Sequence, residues 1–231
     1  IVAIAASVAT GGGVLTTVNT TTLTVVASVI HDTNSITDNS LVQVDKDTVA
    51  LAYTSGTGSG NQGDGTSGYI STFDISSSGA ITPVKVHNHA AIGGAANLEH
   101  SCQTLGPFVW CRADGNSFVK VDADTFALAY EGSKIFTDDN ADVTDSYIKT
   151  FDISADGSST LAQVAVLLHD DDGEADKIGS YHSLVKLDTT IFALQYNSGA
   201  EGSGSIATFS IAGDGTITAI KTASESGTEL V

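Results

Sequence analysis

Histidines and clustered carboxylates are the residues of this chain best equipped for chemistry, and the histidines are placed with some order. His31, His89 and His169 each follow an apolar run (VVASVI, ITPVKVHN and LAQVAVLL), and Asp32 and Asp170 come directly after two of them, while the fourth comparable place holds Glu225. His182 stands where comparable segments carry Asn39 and Asn116. A ring of imidazoles could form a metal or acid–base centre. The alternative is one local hydrogen bond repeated in each segment, with no convergence on a ligand.

Two acidic clusters raise calcium as a cofactor. Asp138, Asp139, Asp142 and Asp145 crowd one stretch; Asp170, Asp171, Asp172, Glu174 and Asp176 crowd another, with Gly173 allowing a sharp bend. Calcium takes six to eight oxygen ligands and suits such loops. Neither stretch has the Asp-x-Asp-x-Asp-Gly pattern with its closing bidentate Glu, so a solvated acidic surface is the competing reading. Cys102 and Cys111 flank a short segment that also holds Phe108 and the single Trp110. Their proximity in an acidic chain rich in Gly, Ser and Thr suggests a disulfide and an extracytoplasmic setting, secreted, periplasmic or at the cell surface, against two free thiols. Zinc sites usually need shorter spacings and two further ligands.

Nucleophile motifs add little. There is no Gly-x-Ser-x-Gly elbow and no His-Glu-x-x-His. The glycine-rich run 56–68 lacks the Lys and following helix of a phosphate loop. No catalytic residue is therefore assigned.

The elements that position these residues are repeats. NSLVQVDKDTVALAY (39–53) recurs as NSFVKVDADTFALAY (116–130) and HSLVKLDTTIFALQY (182–196), and IVAIAA (1–6) matches the second half of the first. A second line, GYISTFDIS (68–76), returns as SYIKTFDIS (146–154) and GSIATFSIA (204–212), each followed by a short turn and another β-rich run. Such periodicity marks solenoids, arrays and propellers, and each unit reads as four strands joined by hairpins. Val49, Leu51 and Tyr53 face one way and Ala50 and Ala52 the other, so neither face is polar. A sheet of that kind is pressed between two neighbours, as in radially stacked blades.

The expectation is an all-β chain: a β-propeller of four four-stranded antiparallel blades in a single domain, 1–231, with units of about 1–38, 39–115, 116–181 and 182–231. The first copy lacks its opening strand, and Glu229-Leu230-Val231 resembles Ser40-Leu41-Val42, so a C-terminal strand would complete the first blade and close the ring. The competing reading is a window on a longer array. The turns Asp45-Lys46-Asp47, Asp122-Ala123-Asp124 and Asp188-Thr189-Thr190 are alike, whereas 31–38, 54–67, 90–114, 131–145, 170–180 and 197–203 differ. In a blade all of the latter leave at one end, the usual place for binding loops on a rigid scaffold.

A hydrophobic content of 41% is ample for a core, and there is no apolar run of transmembrane length. Twenty-seven acidic against nine basic residues give a net charge of −18, which disfavours nucleic acid and anionic membrane surfaces and leaves cations, glycans and proteins as partners. Oligomeric state is left open. With an N-terminus that is not Met, the chain reads as processed or truncated.

The lines NSLVQVDKDTVALAY and GYISTFDISSSGAITPV resemble bacterial β-propeller repeat proteins, including lactonase-like and surface-antigen repeats whose blades carry an I-x-x-F-x-I-x-x-x-G-x-I-T line. The similarity spans nearly the whole chain outside its loops, through blade-building residues. It implies the fold. Function stays between a secreted or cell-surface binding module for a glycan or protein, with His31, His89, Trp110, His169 and His182 as ligand-face candidates, a lactonase-like or glycan-cleaving hydrolase, and a purely structural array element.

Overall fold

The computed structural model describes residues 1–8, 12–56, 67–89, 102–105, 108–111, 113–135, 142–159, 161–170, 180–198 and 203–224. Among them there is no helix. Sheet one orders β1 (Val2–Ser7), β2 (Gly13–Val18) and β3 (Val25–Asp32). Sheet two orders β4 (Ser35–Gln43), β5 (Thr48–Gly56), β6 (Ser67–Ile75) and β7 (Ile81–Asn88). A separate hairpin of β8 (Cys102–Leu105) and β9 (Phe108–Cys111) precedes sheet three, which orders β10 (Ala113–Lys120), β11 (Thr125–Ile135), β12 (Asp142–Asp152) and β13 (Ala162–Asp170). Sheet four orders β14 (Ser180–Lys186), β15 (Ile191–Ser198), β16 (Ser203–Ile211) and β17 (Ile217–Ser224). All pairings are antiparallel between consecutive strands, giving the four-sheet, propeller-like layout that the repeats predict.

Among the described residues the first sheet has three strands with β1 at its edge, and residues 225–231, expected to complete that sheet, lie outside them. Strands also run further into the variable segments than their composition suggests. β11 and β12 stay paired out to Ile135 and Asp142, and β4 begins at Ser35, because main-chain pairing continues where side-chain alternation has stopped.

Packing follows the two-faced strands. The Ala50, Ala52 and Ile70 face of sheet two lies against Phe118, Phe126, Leu128 and Tyr130 of sheet three. The same arrangement joins Ala127, Ala129 and Ile148 of sheet three to Phe192, Leu194 and Tyr196 of sheet four, and Ala3, Ala5 and Leu15 of sheet one to Leu51, Tyr53 and Phe73 of sheet two. Alanine lets each sheet approach closely, and the large residues of the next sheet fill the gap at interior density. Sheets two and three are covered on both faces.

Polar ties repeat with the apolar ones. Thr17 donates its hydroxyl to Gly79 O at 2.6 Å, Thr72 to Gly157 O at 2.8 Å and Thr150 to Gly215 O at 2.7 Å, each buried and each reaching from one sheet to a turn of the next. Lys120 donates to Val44 O and Lys186 to Val121 O between successive first strands. The tight turns at this end are closed by Asp45, which accepts from the backbone N–H of Asp47 and Thr48, and by Asp122, which accepts from those of Asp124 and Thr125. These bonds favour the carboxylate form and hold both groups below the usual range, Asp122 against an opposing effect of burial. Their donors consume the turn's polar groups, which is why this end is uniform.

Candidate functional site

The four described candidate histidines are all at sheet junctions. His31 ends sheet one and meets the Tyr53 ring of sheet two edge-on, with centroids 4.7 Å apart, and Phe73 at 6.1 Å. His89 meets Tyr130 at 5.1 Å and Phe151 at 6.3 Å; His169 meets Tyr196 at 4.8 Å and Phe209 at 6.1 Å. The interplanar angles of these contacts lie between 68° and 77°. One imidazole per junction thus wedges into a Tyr–Phe pair of the following sheet, the favourable edge-to-face arrangement for aromatic rings. Repetition here means the same local contact in each copy. That contact is made by ring faces and edges, where the sequence suggested a hydrogen bond.

Backbone shape makes room for the wedge. A Cβ on Gly13 would fall on the His31 ring, and one on Gly68 on the His89 ring and 2.5 Å from Ala113 Cβ. Glycine at these two strand positions lets the Cε1–Nε2 edge of the imidazole come up against the main chain.

His182 reaches its junction differently. The β14–β15 register shifts between Ser180 and Ser183, as β4–β5 shifts between Thr37 and Ser40 and β10–β11 between Asp114 and Ser117. Asn39, Asn116 and His182 therefore occupy one recurring bulge, a device that re-aims a side chain. Asn116 uses it to donate to Thr54 Oγ1 at 3.0 Å. His182 instead lies 5.5 Å from the His169 ring and stacks near Tyr196.

These surroundings keep the imidazoles neutral. Burial pushes His89 down to about 3, with the Lys149 charge adding to it. Burial likewise holds His169 well below the ordinary value, helped by His182, and takes His182 down to about 4 against the opposing Gly115 backbone. His31 is lowered by burial, partly offset by Asp32. Among the described residues neither ring nitrogen of His31, His89 or His169 has a hydrogen-bond partner. An acid–base catalyst needs a pKa near the working pH, and burial moves all four imidazoles away from it.

The third unit departs from the repeat in a way sequence reading passed over. Lys149 is fully buried, donates to His89 O at 3.3 Å and lies 5.4 Å from the centre of the Tyr130 ring. Its counterparts are Ser71 and Ala207. Glu131, also buried, stands where sheet two has Thr54. The signal was visible as charge at two positions where the other copies carry uncharged residues, Ser71 and Ala207 for Lys149, Thr54 and Asn197 for Glu131.

The other candidates are only partly placed. The backbones of Asp142 and Asp170 are at one end of sheet three, opposite Ile135 and Ser146; Asp138, Asp139, Asp171, Asp172, Glu174 and Asp176 lie outside the described residues. The β8–β9 register sets Cys102 directly opposite Cys111 and Gln103 opposite Trp110, while the side chains of this hairpin are outside those described. Among the described residues no group of three or more His, Cys, Asp or Glu is disposed to hold a metal. A cavity of about 540 Å³ lies at the opposite, tight-turn end, between Ile1–Ala3, Leu41–Gln43 of β4 and the Asp45–Thr48 turn.

No protein-family model matches the chain, and a comparison with curated proteins finds no significant match.

Proposed function

We propose that this is an extracytoplasmic β-propeller repeat protein acting as a binding module, with a glycan or protein ligand taken by the loop end of the sheets. The observation that carries this reading is the division of the connections. One end is closed by near-identical hydrogen-bonded Asp turns, while residues 57–66, 136–141, 171–179 and 199–202, which differ in sequence, all join strand ends at the other. The histidines that would favour a hydrolase are spent on packing. Cys102 opposite Cys111 supports a cross-strand disulfide steadying the Trp110 hairpin. The acidic stretches beginning near Asp170 and ending near Asp142 leave the same end of one sheet, which supports calcium as an organising cofactor.

The test is retention on immobilised chitosan, a cationic glycan, and on a neutral β-glucan, with calcium and with chelator. Retention that is lost when 57–66 is replaced by a Gly-Ser linker, with an unchanged melting temperature, is the expected result. Hydrolysis of chromogenic glycosides or lactones by the unaltered protein would overturn it in favour of an enzyme.

A further inference from the structure

The outer face of sheet four repeats, residue by residue, the faces that sheets two and three bury. Ile206 corresponds to Ile70 and Ile148, which are 0% exposed, yet it is 51% exposed. Leu187 corresponds to Val44 and Val121, at 0% and 2%, and is 60% exposed. Thr208 corresponds to Thr17, Thr72 and Thr150; it finds no turn of a following sheet and donates weakly within its own sheet, to Lys221 O at 3.3 Å.

Sheet one presents the opposite half. Ile4 corresponds to Leu51, Leu128 and Leu194, all fully buried, and is 50% exposed, with Val2 exposed beside it. The turn of sheet one is also built as the others are. Leu23 N donates to Asn19 O and Asn19 N to Thr24 O, as Gly79 N does to Ser76 O and Ser76 N to Ala80 O. Leu23 holds the left-handed conformation there, φ 55°, without being glycine, so its carbonyl takes the place of the Gly79, Gly157 and Gly215 carbonyls that accept the buried threonines.

We propose that the Leu187, Ile206 and Thr208 face of sheet four docks onto the Val2, Ile4 and Leu23 face of sheet one in a second copy of this chain. The contact repeats between molecules the packing that joins successive sheets within one, and Thr208 donates to Leu23 O across it. The occupant is a second copy because each face, exposed among the described residues, carries the packing positions that the other complements at the internal junctions. The side chains are also reciprocally sized: Ala6 and Val18 stand where later sheets carry Tyr and Phe, and Gln195 where earlier sheets carry Ala52 and Ala129. Such a joint is head-to-tail, so copies close a ring when the rotation permits and otherwise extend as a filament.

Sedimentation velocity over a concentration series, at physiological or higher salt to screen the acidic surfaces, reads the result. The unaltered chain is expected to form two-copy or larger species. Ile206→Asp and Ile4→Asp are each expected to sediment as monomers with native circular dichroism, and their mixture to recover a two-chain species, because each retains the face the other has lost. Thr208→Val should weaken association a few-fold. Should either Asp variant unfold, Leu187→Asp and Val2→Asp replace them, at the rim of the same faces. An unaltered chain that stays monomeric throughout, or one that associates while the mixed variants do not, overturns the proposal.

Discussion

The junction between sheets three and four and the outer face of sheet four are built from the same repeat positions and have opposite fates. Ile148 is fully buried at the first; Ile206, its counterpart, is half exposed at the second. Thr150 reaches Gly215 O across the junction, whereas Thr208 turns back on its own sheet. The difference teaches that strand sequence fixes only half of an interface. The stabilisation comes from what the next sheet brings: an aromatic face, a turn carbonyl and the wedge of the preceding histidine.

The sharpest way to break this comparison is to put one charge at both places. Ile148→Asp buries a carboxylate with no partner in an apolar junction and should cost about 4 kcal/mol or more, enough to remove the cooperative melt of a marginally stable domain. Ile206→Asp should change stability of the monomer by less than about 0.5 kcal/mol. Thermal melts of both at low protein concentration decide it; equal losses would mean that the outer face is covered in solution.

A smaller effect isolates the wedge. Gly68→Ala places a methyl on the His89 ring and beside Ala113 Cβ, where neither the ring nor the backbone-anchored methyl can withdraw cheaply. Overpacking of this kind costs about 1–3 kcal/mol, and urea titration measures it. An unchanged midpoint would show that the imidazole does not come up against the main chain.

Much of this was legible in the sequence. The count of sheets, their hairpin order and the Ala-against-aromatic faces follow from NSLVQVDKDTVALAY and its copies, because a period of two with two apolar faces has few solutions. The histidines were legible as equivalent positions, but not as wedges, since their partners Tyr53 and Phe73 belong to the following unit and no local pattern links them. Nor was the Thr150–Gly215 tie visible, joining residues distant in sequence that pair only once the sheets are stacked. Lys149 and Glu131 were readable as exceptions to the repeat, and the repeat itself drew attention away from them.

The smallest expected effect sharpens the polar side of the comparison. Thr150→Val keeps the shape and removes one buried hydroxyl, leaving the Gly215 carbonyl without that donor, at about 1–2 kcal/mol. Thr208→Val in the monomer should be within about 0.5 kcal/mol of neutral. Chemical denaturation of the two variants side by side gives the difference directly.

The central claim, that the ordered histidines are neutral wedges between sheets, is tested most directly by following the imidazole resonances of His31, His89, His169 and His182 by NMR as pH is lowered. The folded state holds these groups below their unfolded value, so the unfolded chain takes up protons first. Stability is then full above about pH 6.5 and falls with pH towards the folded values, by up to about 1.4 kcal/mol per pH unit for each imidazole. The expected record shows His89 and His182 unprotonated down to about pH 5, with His89 resisting protonation to about pH 3 unless acid unfolding comes first. Ordinary titration near pH 6.5 in the folded protein would contradict the account and return the four imidazoles to solvent, where they could serve a ligand or a reaction.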